Sequence, residues 1–92
     1  MIRSFACAET KALFNSRAVS RFRNTERVAR RKLLQIHAAT ELASLRIPPG
    51  NQLEALKADR KGQHSIRIND QWRFCFVWKP DGAHRVEIVD YH

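Results

Sequence analysis

The last three residues, Asp90-Tyr91-His92, bring together a carboxylate, a phenol and an imidazole, the side chains on which general acid–base catalysis draws. Such a tripeptide is by itself more often a solvated tail, because chain ends fray unless something ties them down. Here Val86-Glu87-Ile88-Val89 reads as a strand running straight into it, which gives the three groups a defined place. Two further features suit a phosphate. Arg73 stands between Trp72 and Phe74 in an apolar run, where a guanidinium needs a phosphate or carboxylate partner. The segment Leu56-Lys57-Ala58-Asp59-Arg60-Lys61-Gly62 sets Lys57, Arg60 and Lys61 around a turn, where side chains and backbone N–H groups can both meet phosphate oxygens. Jointly these groups supply what strand cleavage of RNA requires: a base for the 2′-hydroxyl proton, cations for the charged phosphorane and an acid for the departing 5′-oxygen. Neither a His-rich nor a paired-carboxylate metal motif occurs, and Cys7 and Cys75 stand alone in the sequence. Chemistry without metal or cofactor, and reduced thiols, are therefore expected.

The charge balance fits a polyanionic partner. Lys and Arg number 17 against 9 Asp and Glu, a formal charge of +8, and a field of that sign attracts nucleic acid. The charge is uneven: residues 1–46 hold 10 basic and 3 acidic side chains, whereas residues 47–92 hold 7 and 6. With 43% apolar and 28% charged residues the composition is that of a folded globule rather than a disordered segment. No apolar run approaches the roughly 20 residues of a membrane span. Met1-Ile2-Arg3-Ser4-Phe5 lacks the apolar stretch of a secretory leader. A cytoplasmic protein with no membrane role is expected.

The elements that must position these groups follow from hydrophobic spacing. Ala8 to Phe14 has helix formers with Leu13 and Phe14 to bury, and Ile2 to Phe5 alternates like a short strand. Asn24 and Thr25 offer N-cap oxygens ahead of Glu26, whose charge suits a helix start. From there to about Ala39 the period is helical, with Val28, Ala29, Leu33 and Ile36 on one side and a basic ridge of Arg23, Arg27, Arg30 and Arg31 on the other. Pro48-Pro49-Gly50-Asn51 breaks the chain. Strands are expected at Leu53–Lys57, His64–Ile68, Trp72–Trp78 and Arg85–Val89, close enough in sequence to pair as an antiparallel meander. In the third, Trp72, Phe74, Phe76 and Trp78 share a core face, and Arg73, Cys75 and Val77 face the other way. The expected fold is a single α+β domain over residues 1–92, two N-terminal helices packed on a small twisted antiparallel sheet.

The ordered set Ile2-Arg3-Ser4-Phe5, Leu56-Lys57-Ala58-Asp59-Arg60-Lys61-Gly62, Ile68-Asn69-Asp70-Gln71-Trp72-Arg73 and Val89-Asp90-Tyr91-His92 resembles the HigB-like plasmid maintenance toxins of the RelE superfamily, over essentially the full chain. The resemblance implies a RelE-type fold and an endoribonuclease that enters the ribosomal A site and cuts the messenger there. It implies that Lys57, Arg73, Asp90, Tyr91 and His92 occupy catalytic positions and that Arg23, Arg27, Arg30, Arg31, Arg60 and Lys61 meet RNA or the ribosome. It also implies a HigA-like antitoxin with a helix-turn-helix domain, through which the complex reaches operator DNA. One departure stands out: Glu54 occupies a position where some relatives carry histidine. Two rival readings are a ParE-like gyrase-inhibiting toxin, which needs no general acid, and a noncatalytic RNA- or ribosome-binding module. The joint presence of Lys57, Arg73 and His92 favours the nuclease over the first.

Overall fold

Spacing of apolar residues builds the longest helix, and its burial follows from that spacing. A computed structural model describes residues 1–90. In it, α1 is Ala8–Phe14 and α2 is Glu26–Ala38. Ala29, Leu33 and Ile36 of α2 are fully buried, whereas Val28 is only half-buried at the edge of the core. Glu26 stands in the first turn, where the helix dipole favours a negative charge. Thr25 occupies the N-cap position but does not cap with its side chain. Its Oγ1 instead accepts a hydrogen bond from Asn69 Nδ2 at 3.3 Å, tying the helix start to the turn just before Trp72. The expected N-cap bond is thus replaced by a tertiary one, because Thr25 is buried where a strand turn competes for its hydroxyl.

Four strands form one antiparallel sheet in the order β1-β2-β3-β4: β1 Glu54–Ala55, β2 His64–Arg67, β3 Trp72–Lys79 and β4 Gly82–Asp90. The meander expected from sequence is present, with different bounds. The first strand shrinks to two residues because Lys57 already leads into a 3₁₀ turn, Ala58–Arg60, and the last gains Gly82–His84 by pairing directly across the hairpin. Ile2 and Phe5 make single parallel bridges to Ala83 and Val86 rather than a strand, so the N-terminal segment flanks β4. Gly82 permits this approach: its φ is +132°, and a Cβ there would lie 2.0 Å from the Met1 carbonyl oxygen.

Ile66, Phe74, Phe76, Val86 and Ile88 pack against Leu13, Phe22, Leu33 and Ile36 to form the core. The Phe22 ring meets Trp72 edge-on at 5.2 Å between centroids. Leu33 sits at 0% exposure in this cluster. Leu33→Ala is therefore expected to cost about 2–5 kcal/mol and lower the melting temperature by at least roughly 8 °C, readable by thermal denaturation. A shift within error would mean that the helix–sheet core is not the main support of the fold.

One polar cluster is buried as well. Lys32 points into the interior from the core side of α2, where its Nζ hydrogen-bonds Asn51 Oδ1. Asn51 is fully buried and donates from Nδ2 to Gln35 Oε1 (3.1 Å), Leu45 O (3.1 Å) and Ile47 O (3.4 Å). Burial, with the nearby charges of Arg31 and Arg67, lowers the Lys32 pKa from its ordinary value. These bonds pin the 3₁₀ turn Pro49–Asn51 to α2.

Candidate active site

Arg73 is a buried, hydrogen-bonded cation on β3. Strand alternation turns it away from Trp72 and Phe74, onto the sheet face that also carries Ser65 and Cys75. Its side chain is only 8% exposed. Nε donates to Ser65 Oγ at 2.9 Å, Nη2 donates to the Gln52 carbonyl at 2.7 Å, and Glu54 Oε1 lies 3.6 Å from Nη2. A buried charge is tolerable only when paired and hydrogen-bonded, and a planar guanidinium can satisfy several partners in one rigid geometry. Gln52 reaches Arg73 from a left-handed backbone conformation, φ +46° and ψ +56°, next to the buried Asn51. The position of the guanidinium thus depends on a chain of contacts from Lys32 on α2 through Asn51 to the Gln52 carbonyl.

Beside it opens a cleft of about 540 Å³ lined by residues 54–60. Lys57 is exposed in its wall, at the entry to the Ala58–Arg60 turn. Arg60 closes the cleft towards β4, donating to Gln63 Oε1 at 3.1 Å and to Glu87 Oε1 at 3.0 Å. Lys61 follows, exposed. Cys75 is buried on the same face, and burial pushes its thiol pKa up, which suits packing rather than nucleophilic chemistry.

Of the expected catalytic residues, Lys57 lines this cleft. β4 does run directly to Asp90, as its sequence anticipates, and Asp90 is exposed, accepting a hydrogen bond from Gln71 Nε2 at 3.2 Å. Yet Asp90 is the register partner of Trp72, on the core side of the sheet end, whereas Arg73 pairs with Val89 on the opposite face. Tyr91 and His92 lie outside the described residues. On α2 and just before it, Arg23, Arg27 and Arg31 are exposed. Arg30 is half-buried instead: its Nε donates to Leu13 O at 3.0 Å, its Nη2 to Arg17 O at 2.8 Å, and its Nη1 bonds Glu26. It joins α1 to α2, so the exposed ridge narrows to three arginines.

Ser65, Gln52 and Glu54 surround Arg73 and were not singled out from sequence as its partners. Ser65 had a legible signal, since an antiparallel register that pairs Ser65 with Cys75 brings its hydroxyl one step from Arg73. Gln52 had none, because it contributes a backbone carbonyl from an irregular turn.

Cations beside a concave face, on a sheet of this topology, can be compared with known families. The family described as RelE-like toxin of type II toxin-antitoxin system HigB matches residues 10–92. Toxin HigB-1 of Vibrio cholerae is 45% identical over 62 residues, covering 67% of this chain. A Haemophilus influenzae protein, named only as uncharacterized, is 39% identical over 56 residues, or 61% of this chain. In these alignments the chain spans 64% and 54% of the lengths of those curated relatives. With nearly every structured element inside the family match, from Thr10 in α1 through β4, this chain belongs to the HigB-like family of RelE-like toxins of type II toxin–antitoxin systems.

Proposed function

We propose that this toxin is a metal-independent, ribosome-dependent endoribonuclease that cuts messenger RNA in the ribosomal A site and so stops translation. The observation that carries this reading is Arg73, a buried guanidinium fixed by Ser65 and Gln52 and lying 3.6 Å from Glu54, which shares the wall of an open cleft with Lys57. A buried, fixed cation and an exposed one suit a phosphate whose charge grows during reaction. Lys57 and Arg73 hold and neutralise the scissile phosphate. Asp90 or Lys57 assists removal of the 2′-hydroxyl proton, Tyr91 orients a base or phosphate, and His92 protonates the leaving 5′-oxygen.

The exposed arginines Arg23, Arg27 and Arg31 serve ribosomal RNA in this reading, with Lys61 and Arg60 nearer the messenger. A HigA-like helix-turn-helix antitoxin silences the toxin in the cytoplasm and carries the pair to operator DNA. Replacing Arg23, Arg27 and Arg31 together by alanine is expected to weaken ribosome binding and flatten its salt dependence, by about 0.7–0.9 in log–log slope per lost phosphate contact. An unchanged slope would remove these side chains from the RNA interface.

The direct test uses purified translating ribosomes. Wild type is expected to cut the messenger, and His92→Ala to bind the ribosome while cutting at least about 100-fold more slowly. Intact messenger with wild type, under conditions where the protein binds ribosomes, would favour the noncatalytic binding module.

A further inference from the structure

We propose that Asn51 and Gln52 are positioning residues of this toxin, acting on the reaction by placing the Arg73 guanidinium. The inference rests on the ribonuclease reading and adds to it what sets the aim of its central cation. Arg73 is gripped from two sides. On one, Nε donates at 2.9 Å to Ser65 Oγ, and Ser65 is paired in the sheet with Glu54 and Cys75. On the other, Nη2 donates at 2.7 Å to the Gln52 carbonyl, which belongs to an irregular turn. Sheet pairing fixes the first partner. The second is only as well placed as its turn.

Two features of that turn are costly, and they are adjacent. Gln52 holds φ +46° and ψ +56°, a left-handed conformation that residues other than glycine, asparagine and aspartate rarely adopt. Asn51 is fully buried, with Oδ1 on the Lys32 ammonium and the Nδ2 amide shared among Gln35 Oε1, Leu45 O and Ile47 O. A turn kept for stability alone needs neither. Glycine would relieve the backbone at position 52, and apolar residues of similar volume are often as stable as a buried charge with its partner. Strain and buried polarity side by side point to a use for the geometry they enforce. Here that geometry is the aim of one carbonyl. The Gln52 side chain is exposed, so what residue 52 supplies to Arg73 is its backbone.

The peptide groups leading into that carbonyl are committed too. Asn51 N–H donates to Pro48 O at 2.9 Å and Gln52 N–H to Pro49 O at 3.1 Å. With Asn51 also locked to α2 through Lys32 and Gln35, swinging the carbonyl away from Arg73 requires several contacts to break together. A guanidinium held in this way keeps its orientation while charge builds on the phosphate, which is what preorganised electrostatic stabilisation requires. In this role neither residue touches the substrate.

Single-turnover cleavage on messenger-programmed ribosomes, with melting curves alongside, tests this. Gln52→Val disfavours the left-handed conformation and turns the carbonyl aside. It is expected to lose about 10²-fold in kcat with KM unchanged. Gln52→Gly enters that conformation without strain and is expected to cleave at least about tenfold faster than Gln52→Val. Because the effect runs through the guanidinium, adding Gln52→Val to an Arg73→Ala protein is expected to cost no more than about threefold further, whereas a role in folding alone would repeat its full loss there. Lys32→Met combined with Asn51→Leu removes the buried ammonium together with the bonds that hold the turn. This apolar pair is expected to stay folded and to show the same loss of about 10²-fold in kcat, which decides the matter where Gln52→Val does not fold. A folded Gln52→Val or Lys32→Met/Asn51→Leu protein within about threefold of wild type, Gln52→Gly as slow as Gln52→Val, or an undiminished loss in the Arg73→Ala protein would overturn the assignment while leaving the ribonuclease reading intact. Absence of cleavage by wild type in the same assay would instead defeat the underlying reading, and this assignment with it.

Discussion

Arg73→Lys is expected to reduce messenger cleavage by about 10²- to 10³-fold in kcat while the protein remains folded. The charge is conserved in this substitution, so the loss isolates geometry. Arg73 spans Ser65 Oγ on one side and the Gln52 carbonyl on the other, at 2.9 and 2.7 Å, with Glu54 beyond. A lysine ammonium is a compact point charge on a flexible stem and cannot hold that fork. The same logic ranks Ser65→Ala below it: one hydrogen bond to the guanidinium is lost, about 1 kcal/mol in stability, and the cation is left less firmly placed. Cleavage rates and melting curves on both variants separate the two effects. A fully active Arg73→Lys protein would show that charge alone suffices and that the built cradle is incidental.

The second large effect is expected at Asn51, remote from any substrate. Asn51→Ala removes the acceptor of the Lys32 ammonium and the Nδ2 amide, whose two protons are shared among Gln35, Leu45 and Ile47, from a fully buried position. Leaving a buried charge without a partner is the costly case, so a loss of about 3 kcal/mol is expected, equivalent to a fall of roughly 12 °C or more in melting temperature. Replacing Lys32 by methionine in the same protein removes the stranded charge and is expected to return part of that loss. The double-mutant cycle gives the coupling energy. Non-additivity near zero would show that Lys32 and Asn51 do not act as a unit.

Lys32 adds a pH dependence with a definite sign. Its folded pKa lies below the ordinary 10.5, chiefly through burial, so between the lowered value and 10.5 the unfolded chain holds the proton and the folded chain does not. Stability therefore gains from this group as pH rises through that interval. Below it both states are protonated and the folded state carries the full penalty of a buried ammonium. Lys32→Met removes the term, and the stability difference between variant and wild type is expected to shift in favour of wild type as pH climbs towards 10.5.

These cases show which parts of the protein can be read from residue order. The α2 stripe and the β2-to-β4 meander were legible because each repeats a local period, and the two apolar faces can meet in only one way. Arg73 was legible as an anomaly, a charge in an apolar strand. Two of its partners were not, since Gln52 offers only a backbone oxygen and Glu54 is brought near by the pairing of β1 with β2. Lys32 was hidden for the opposite reason: a lysine on a basic helix looks solvated, and only the turn carrying Asn51 buries it. Arg30 likewise shares the helical spacing of the ridge but spends its guanidinium on α1. The site was therefore half visible, in its cations but not in the contacts that fix them.

The central claim concerns the reaction, and the chemistry of the cut ends tests it most directly. Messenger recovered from programmed ribosomes after exposure to wild-type toxin is expected to carry a 2′,3′-cyclic phosphate upstream of the cut and a 5′-hydroxyl downstream, resolved by mass spectrometry. A messenger with a single 2′-deoxy sugar at the scissile position is expected to survive intact. Cleavage of that deoxy messenger, or a 5′-phosphate on the downstream fragment, would contradict attack by the 2′-hydroxyl and with it this account of the site.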